Sequence, residues 1–217
     1  MIEIYGHPFS SYTMKVLIAL YANETKFELR VVGPECPENA KFLAANSGPQ
    51  GKFPLLVDGD TILFESSTIV EYLALHHAGE QALLPDQPDA AIEVRKLDRV
   101  FDNYVMAPMQ AIVDEHLRSP DQRDMSRSDG ARARLDKSYG WLDGWLESYP
   151  TTSRITMIEC AAVPALHYAD WVHPIGPEFP RLRQWFAHLQ ALPPVKRCLD
   201  EAKPFRHFFP VPMPGPK

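Results

Sequence analysis

Residues 51–73 constrain the fold of this 217-residue chain more than any other segment. The pair Phe53-Pro54 leads into apolar residues 55–57, which predict a strand. Asp58-Gly59 is a typical turn pair, and residues 61–64 predict the returning strand of a hairpin. Apolar residues then recur at helical spacing behind Glu65-Ser66. The segment therefore predicts a hairpin joined directly to the start of a helix.

The start of this helix has the chemistry to hold a small anionic peptide. Its free N–H groups and the positive end of its dipole attract a carboxylate, and Glu65 beside them can receive an ammonium group. An amino acid headgroup has both charges, so Glu65 and Ser66 are candidate ligand residues. In the alternative interpretation, Glu65 is a solvated acid and Ser66 caps the helix without binding a ligand.

The order of the predicted elements divides the chain into two units. Strands are predicted over residues 2–5 and 26–32 and helices over 11–21 and 41–46, which with the hairpin and its helix gives the order βαβαββα. This order is thioredoxin-like, and we assign it to residues 1–78. Residues 79–89 contain two prolines and no periodicity, so we assign them as a linker.

Residues 90–217 are predicted to be all-helical. The predicted helices cover residues 90–117, 126–147, 156–172, 180–192 and 195–201. Thr156 and Glu159 have the spacing of a capping box, which predicts the start of the third of these helices. The expected fold class is therefore an α/β domain followed by an all-α domain.

Composition limits the function and the compartment. A formal net charge of −6 argues against a nucleic-acid-binding surface. We expect a cytoplasmic protein without membrane contact, because there is no signal-type apolar core and no run of 18 apolar residues. Cys36, Cys160 and Cys198 form neither a C-x-x-C pair nor a metal spacing. We therefore expect no bound metal and a reducing compartment.

Four landmarks together resemble the cytosolic glutathione transferases. They are the loop around Ser10, the Phe53-Pro54 pair, the Glu65-Ser66 pair and the helix start at Thr156, and in order they span essentially the whole chain. The resemblance implies a thioredoxin-like glutathione-binding domain, an all-helical second domain and a homodimer. It also implies that glutathione is a co-substrate, that no cofactor is used, and that the reaction is conjugation to a small hydrophobic electrophile.

Such a reaction requires the thiolate of glutathione. A free thiol has a pKa near ~8.5, so about 3% is ionised at pH 7, and lowering that pKa by two units takes roughly 2.7 kcal/mol of preferential thiolate stabilisation. A hydroxyl donor and a helix N-terminus can supply this stabilisation. The loop before the first helix offers the hydroxyl groups of Ser10, Ser11, Tyr12 and Thr13.

Ser10 is the first candidate for the thiol-activating residue. In serine-type members of the family, the active hydroxyl lies six residues before the apolar helix residue that here resembles Val16. A slip of one residue in the turn would select Ser11 instead, and Tyr12 is a third candidate. For either serine the alternative is simple N-capping of the first helix.

The resemblance also implies the other contacts to glutathione. Pro54 would follow a cis peptide bond, and Phe53 would offer its backbone N–H and C=O to the cysteinyl part. Lys52 would meet the glycyl carboxylate, with an ordinary turn lysine as the alternative. Glu65 and Ser66 would hold the γ-glutamyl end.

The second substrate is expected where the first long helix of the second domain faces the thiol. Candidates for an apolar wall there are Tyr104, Pro108, Met109 and Ile112. Residues of these types at helical spacing also pack in cores, and packing is the alternative for each. The tail, residues 205–216, either folds back over this region or is frayed.

Two other functions are compatible with the same landmarks. One is a glutathione-dependent isomerase similar to maleylacetoacetate isomerase, but the Ser-Ser-Cys loop and following arginine of that group are here Ser10-Ser11-Tyr12 and Lys15. The other is a transferase-like binding or scaffold protein without turnover. A redox function is disfavoured because no cysteine lies in the active-site loop.

Overall fold

A four-stranded mixed sheet organises the first unit of the chain, of which the computed structural model describes residues 1–212. The strands are β1 (Ile2–Gly6), β2 (Phe27–Val31), β3 (Leu55–Asp58) and β4 (Thr61–Phe64), in the spatial order β2-β1-β3-β4. β1 runs parallel to β2 and antiparallel to β3, and β3 runs antiparallel to β4. The predicted hairpin is therefore confirmed.

Three helices belong to this unit: α1 (Ser11–Ala22), α2 (Pro37–Asn46) and α3 (Ser66–His76). α1 is buried along residues 13–21, where it packs against α3 and against helices of the second unit. α2 begins four residues before the predicted start at residue 41, because Pro37 fits the first turn of a helix. The order βαβαββα is thioredoxin-like, as predicted.

The second unit is all-helical within the described residues, which confirms the predicted fold class. Its helices are α4 (Pro88–Val100), α5 (Ala107–Leu117), α6 (Met125–Trp145), α7 (Met157–Val172), α8 (Pro180–Ala191) and α9 (Pro193–Ala202). The helix predicted over residues 90–117 contains a π-helical segment, Phe101–Met106, between α4 and α5. A 3₁₀ turn, Lys203–Phe208, follows α9.

α7 lies at the centre of the second unit and packs against α1 and α4. It begins with the predicted capping box: the Thr156 side chain accepts from the Ile158 N–H at 3.1 Å, and Glu159 Oε2 accepts from the Thr156 N–H at 2.8 Å. Glutamate therefore closes this box. None of the helices in residues 1–212 is long and apolar enough to cross a bilayer.

The segment between the units is fixed by hydrogen bonds on both sides. Residues 78–87 contain no helix or strand. The Asn23 side chain at the end of α1 pairs twice with the backbone of Gln81, at 2.7 and 3.1 Å. The Gln81 side chain accepts from the Ile155 N–H at 3.0 Å, just before α7. These bonds hold α1 and the start of α7 together.

Candidate functional site

A cavity of about 470 Å³ lies where β3, the start of α3 and the end of α4 meet. The structure brings together here all the residues that the sequence predicted for glutathione, namely Lys52, Phe53, Pro54, Glu65 and Ser66. They come from two places in the chain, the loop before β3 and the junction of β4 with α3. The sheet places these two segments side by side.

The loop before β3 forms one wall of the cavity. The peptide bond between Phe53 and Pro54 is cis, as the resemblance implies. Lys52 is exposed at the rim, and its carbonyl accepts a hydrogen bond from the Ser47 hydroxyl. The ammonium group of Lys52 makes no hydrogen bond or ion pair within residues 1–212, so it is available to an anionic ligand.

Glu65 forms the opposite wall with an unusual backbone conformation. Its φ of 71° and ψ of 111° lie in a region that residues other than glycine rarely occupy, and its side chain is exposed. Such strain costs on the order of 1–3 kcal/mol and is typical of functional sites. It turns the chain from β4 into α3 and places the Glu65 carboxylate beside the helix start.

The N-terminus of α3 is open to a ligand. Glu65 occupies the capping position without capping the helix through its side chain, and Ser66 at the first helical position is buried. The first N–H groups of a helix have no intrahelical acceptor, and together with the helix dipole they attract an anion. A carboxylate in the cavity would therefore satisfy groups that the helix leaves unpaired.

Ser10 caps α1. Its hydroxyl oxygen accepts from the Thr13 N–H at 3.3 Å, and its carbonyl accepts from the Met14 N–H at 2.8 Å. Accepting a bond leaves the hydroxyl proton of Ser10 available for donation. The Ser11 hydroxyl, on the first residue of α1, makes no hydrogen bond to any described residue. Neither serine lines the cavity next to Glu65.

Tyr12 is the only one of the loop hydroxyl candidates among the residues lining the cavity. Burial, followed by the nearby carboxylates of Asp102 and Glu65, raises the pKa of Tyr12 to about 12. Tyr12 therefore keeps its proton at neutral pH and can act only as a neutral hydroxyl.

The described part of the tail folds back over the loop that contains Ser10. The ring of Phe205 packs edge-on against His7 with centroids 4.6 Å apart, and the ring of Phe209 packs against Trp171 at 4.9 Å. The Tyr168 hydroxyl donates to the Phe9 carbonyl at 2.5 Å, directly before Ser10. Of the tail segment considered in the sequence, residues 213–216 lie outside the described residues.

The second unit contributes three residues to the cavity that sequence reasoning missed: Arg99, Asp102 and Asn103. Arg99 and Asp102 are joined to a buried lysine, since Lys15 Nζ lies 3.0 Å from Asp102 Oδ2 and Arg99 Nη1 lies 3.7 Å from the same oxygen. Burial raises the pKa of Asp102, and the charge of Lys15 opposes this rise. Charged residues at helical spacing on α4 are visible in the sequence, but the sequence does not show which face meets α3.

The residues predicted for the second substrate lie outside the cavity at Glu65. Tyr104 is exposed, and its carbonyl accepts from the Ser138 hydroxyl at 2.6 Å. Pro108 is buried, and Met109 and Ile112 are buried in the hydrophobic core. None of the four lines the cavity at Glu65. Met109 and Ile112 therefore pack in the core. The side chain of Tyr104 is accessible to solvent.

The fold and this cavity define a class of two-domain proteins, in which a thioredoxin-like domain supplies an open helix start and a helical domain closes the site. Residues 4–81 match the family model described as the glutathione S-transferase, N-terminal domain. The first unit of the chain is therefore similar to the N-terminal domain of the glutathione S-transferases.

Relatives match over nearly the whole chain. Glutathione S-transferase GstB of Escherichia coli strain K12 is 29% identical over 206 residues, covering 92% of this chain and 98% of that protein. Glutathione S-transferase F7 of Arabidopsis thaliana is 26% identical over 209 residues, covering 91% of this chain and 99% of that protein. The structure of a Methylobacillus flagellatus glutathione S-transferase with glutathione bound has a TM-score of 0.78 at 23% sequence identity. The match covers 91% of this chain and 98% of that protein, and it supports the fold.

Proposed function

We propose that this protein activates the thiol of glutathione for conjugation to a small hydrophobic electrophile. One observation supports the proposal above the others: the residues that the sequence assigns to glutathione converge on a single cavity. The E. coli and Arabidopsis relatives are named glutathione S-transferases, which agrees with the same activity.

The charges of the cavity suit the two ends of glutathione. The ammonium group of the γ-glutamyl residue would pair with Glu65, and the carboxylate of the same residue would meet the open N-terminus of α3 at Ser66. At the other end, the glycyl carboxylate would reach the ammonium group of Lys52. The backbone of Phe53, between these ends, would pair with the cysteinyl residue.

The thiol would then lie towards the N-terminus of α1. The Ser10 hydroxyl would donate its proton as a hydrogen bond to the thiolate while its oxygen still accepts from the Thr13 N–H. The positive end of the α1 dipole would favour the same negative charge. The thiolate sulfur would attack the electrophilic carbon to form a C–S bond, and the displaced electron pair would leave with the leaving group or take up a proton.

A titration with glutathione tests the proposal without a known electrophile. Ultraviolet difference absorbance of the thiolate would be followed across pH with the enzyme saturated in glutathione. We expect a bound-thiol pKa well below the ~8.5 of a free thiol. Binding without a shift in this pKa would indicate a carrier, and failure to bind glutathione would leave only a scaffold.

The proposal includes a cytoplasmic homodimer with a role in detoxification. Sedimentation equilibrium tests the dimer, since it measures the mass of the particle directly. Turnover with a panel of small electrophiles tests the role. A broad range of modest activities would support detoxification, and one dominant substrate would point to a dedicated pathway.

A further inference from the structure

Tyr168 of α7 connects the second unit to the loop that contains Ser10. Its hydroxyl donates to the Phe9 carbonyl oxygen at 2.5 Å, and its side chain is almost completely buried. Within residues 1–212, this is the one hydrogen bond from the second unit to the backbone of residues 7–10. The loop therefore depends on a residue of another unit for part of its conformation.

The peptide group between Phe9 and Ser10 is held at both of its polar atoms. Its carbonyl oxygen accepts from Tyr168, and its N–H donates to the His7 carbonyl at 2.9 Å. A peptide group is planar, so these two bonds together fix the orientation of the whole plane. On the other side of Ser10, the Ser10 carbonyl accepts from the Met14 N–H at 2.8 Å. Both peptide groups that flank the Cα atom of Ser10 are therefore fixed, and with them the direction of its side chain.

Neighbouring rings hold Tyr168 itself in place. The Phe9 ring meets it edge-on with the centroids 5.4 Å apart, and the Phe209 ring stacks on it at 5.7 Å. Burial raises the pKa of the Tyr168 hydroxyl above its ordinary value. The hydroxyl therefore remains a proton donor across the pH range in which a thiol titrates.

We infer that Tyr168 is a positioning residue for thiol activation: its hydrogen bond to Phe9 directs the Ser10 hydroxyl towards the thiolate of glutathione. Tyr168 does not line the cavity at Glu65, so it acts through the loop. The inference rests on the proposed function, because it concerns the same step. Without the bond, the peptide group before Ser10 is free to rotate, and a donor that is not held in place stabilises a charge less well.

Tyr168→Phe tests this inference, since it removes the hydroxyl and keeps the ring that packs against Phe9 and Phe209. The measurement is thiolate absorbance across pH, with the protein saturated in glutathione. We expect the pKa of the bound thiol to rise by about half a unit, less than in Ser10→Ala, because the donor is displaced but not removed. The dissociation constant of S-methylglutathione, which cannot form a thiolate, should change by less than about twofold.

Tyr139→Phe is the matched control. The Tyr139 hydroxyl is also buried in the second unit and donates to a backbone carbonyl, that of His173, at 3.0 Å. Urea unfolding should show a similar loss of stability in both variants, and the thiol pKa should change only in Tyr168→Phe. An equal rise of the thiol pKa in both variants would overturn the inference, because it would reflect a general loosening of the second unit.

A double variant shows whether Tyr168 acts through Ser10. In a Ser10→Ala background, Tyr168→Phe should not raise the thiol pKa further, since the hydroxyl that it positions is already absent. A rise that adds to that of Ser10→Ala would overturn the inference. An unchanged thiol pKa in Tyr168→Phe alone would also overturn it, while a lowered pKa in the wild type would leave the proposed function intact. If the wild-type thiol shows no lowered pKa, the proposed function and this inference fail together.

Discussion

Lys15 Nζ lies 2.5 Å from Asp98 Oδ1, and both side chains are almost completely buried. The same ammonium group donates to Ser67 Oγ at 2.9 Å and to Asp102 Oδ2 at 3.0 Å. These four residues join α1, the first turn of α3, α4 and the π-helical segment directly behind the cavity at Glu65. The cluster therefore fixes the position of the second unit relative to the open helix start.

Removing the lysine should be strongly destabilising. Lys15→Met leaves the fully buried Asp98 carboxylate with the Ser67 hydroxyl at 2.8 Å and the flanking Arg99 at 3.3 Å. Breaking a buried pair in this way typically costs about 3–5 kcal/mol. Urea unfolding measures the loss in the free energy of unfolding. The control is Lys196→Met, which breaks an exposed pair with Asp200 and should cost less than about 1 kcal/mol.

A double variant separates the pair from the packing around it. Lys15→Met with Asp98→Leu removes both charges, and replacing a buried ion pair by apolar side chains is often close to neutral. The double variant should therefore be more stable than Lys15→Met alone. If it is less stable, the cluster contributes through its hydrogen bonds to Ser67 and Asp102 instead of through the charge on Asp98.

Ser10 and Ser11 form a matched pair for testing thiol activation. Ser10→Ala should raise the pKa of bound glutathione by about one unit, the equivalent of one hydrogen bond to a charged group. Ser11→Ala should leave this pKa unchanged. Thiolate absorbance across pH is the measurement, and the reverse result would assign the role to Ser11.

The capping role of Ser10 requires its own control. Losing the bond to the Thr13 N–H should cost about 0.5–2 kcal/mol of stability in Ser10→Ala. Ser10→Thr keeps both the cap and a hydroxyl, so it should restore most of the stability. If Ser10→Thr restores stability but not the thiol pKa, the position of the hydroxyl matters as well as its presence.

Glu65 should account for much of the affinity for glutathione. Glu65→Gln removes the charge that would pair with the γ-glutamyl ammonium group, with an expected loss of roughly 1–3 kcal/mol, or about 5- to 150-fold in the dissociation constant. Calorimetric titration with glutathione measures this change in the dissociation constant. Glu71→Gln on the same helix is the control, because Glu71 pairs with Arg95 outside the cavity. Equal losses in both variants would exclude a specific contact.

The sequence predicted the elements whose signals are local. The Asp58-Gly59 turn, the helix start at Ser66 and the Thr156–Glu159 box all depend on residues within a few positions of one another, and each appears in the structure. The convergence of the residues assigned to glutathione was predictable for a related reason. They lie in two short segments, and the sheet brings these segments together.

The parts that could not be predicted depend on distant contacts. The π-helical segment within the helix predicted over residues 90–117 has no proline or glycine to mark it. From the sequence alone, Lys15 would be placed at the surface. Its burial becomes recognisable only when the structure shows the carboxylates of Asp98 and Asp102 beside its ammonium group. The contribution of Arg99 to the cavity likewise depends on the packing of α4 against α3.

The three cysteines should differ sharply in reactivity. Burial raises the pKa of the Cys160 and Cys198 thiols, and Cys198 packs against the Met14 carbonyl at 3.8 Å. Cys36, before α2, is partly exposed. Since the thiolate is the reactive form, one thiol per chain should react with an aromatic disulfide reagent in the native protein and three in denaturant.

Cys36→Ser identifies the reactive thiol. The variant should lose the reaction of the native protein while still showing two thiols after unfolding, because Cys160 and Cys198 become accessible only then. Absorbance of the released reagent gives both counts. A fast thiol that persists in Cys36→Ser would mean that α9 opens to expose Cys198 in the native state, since Cys198 lies where that helix packs on α1.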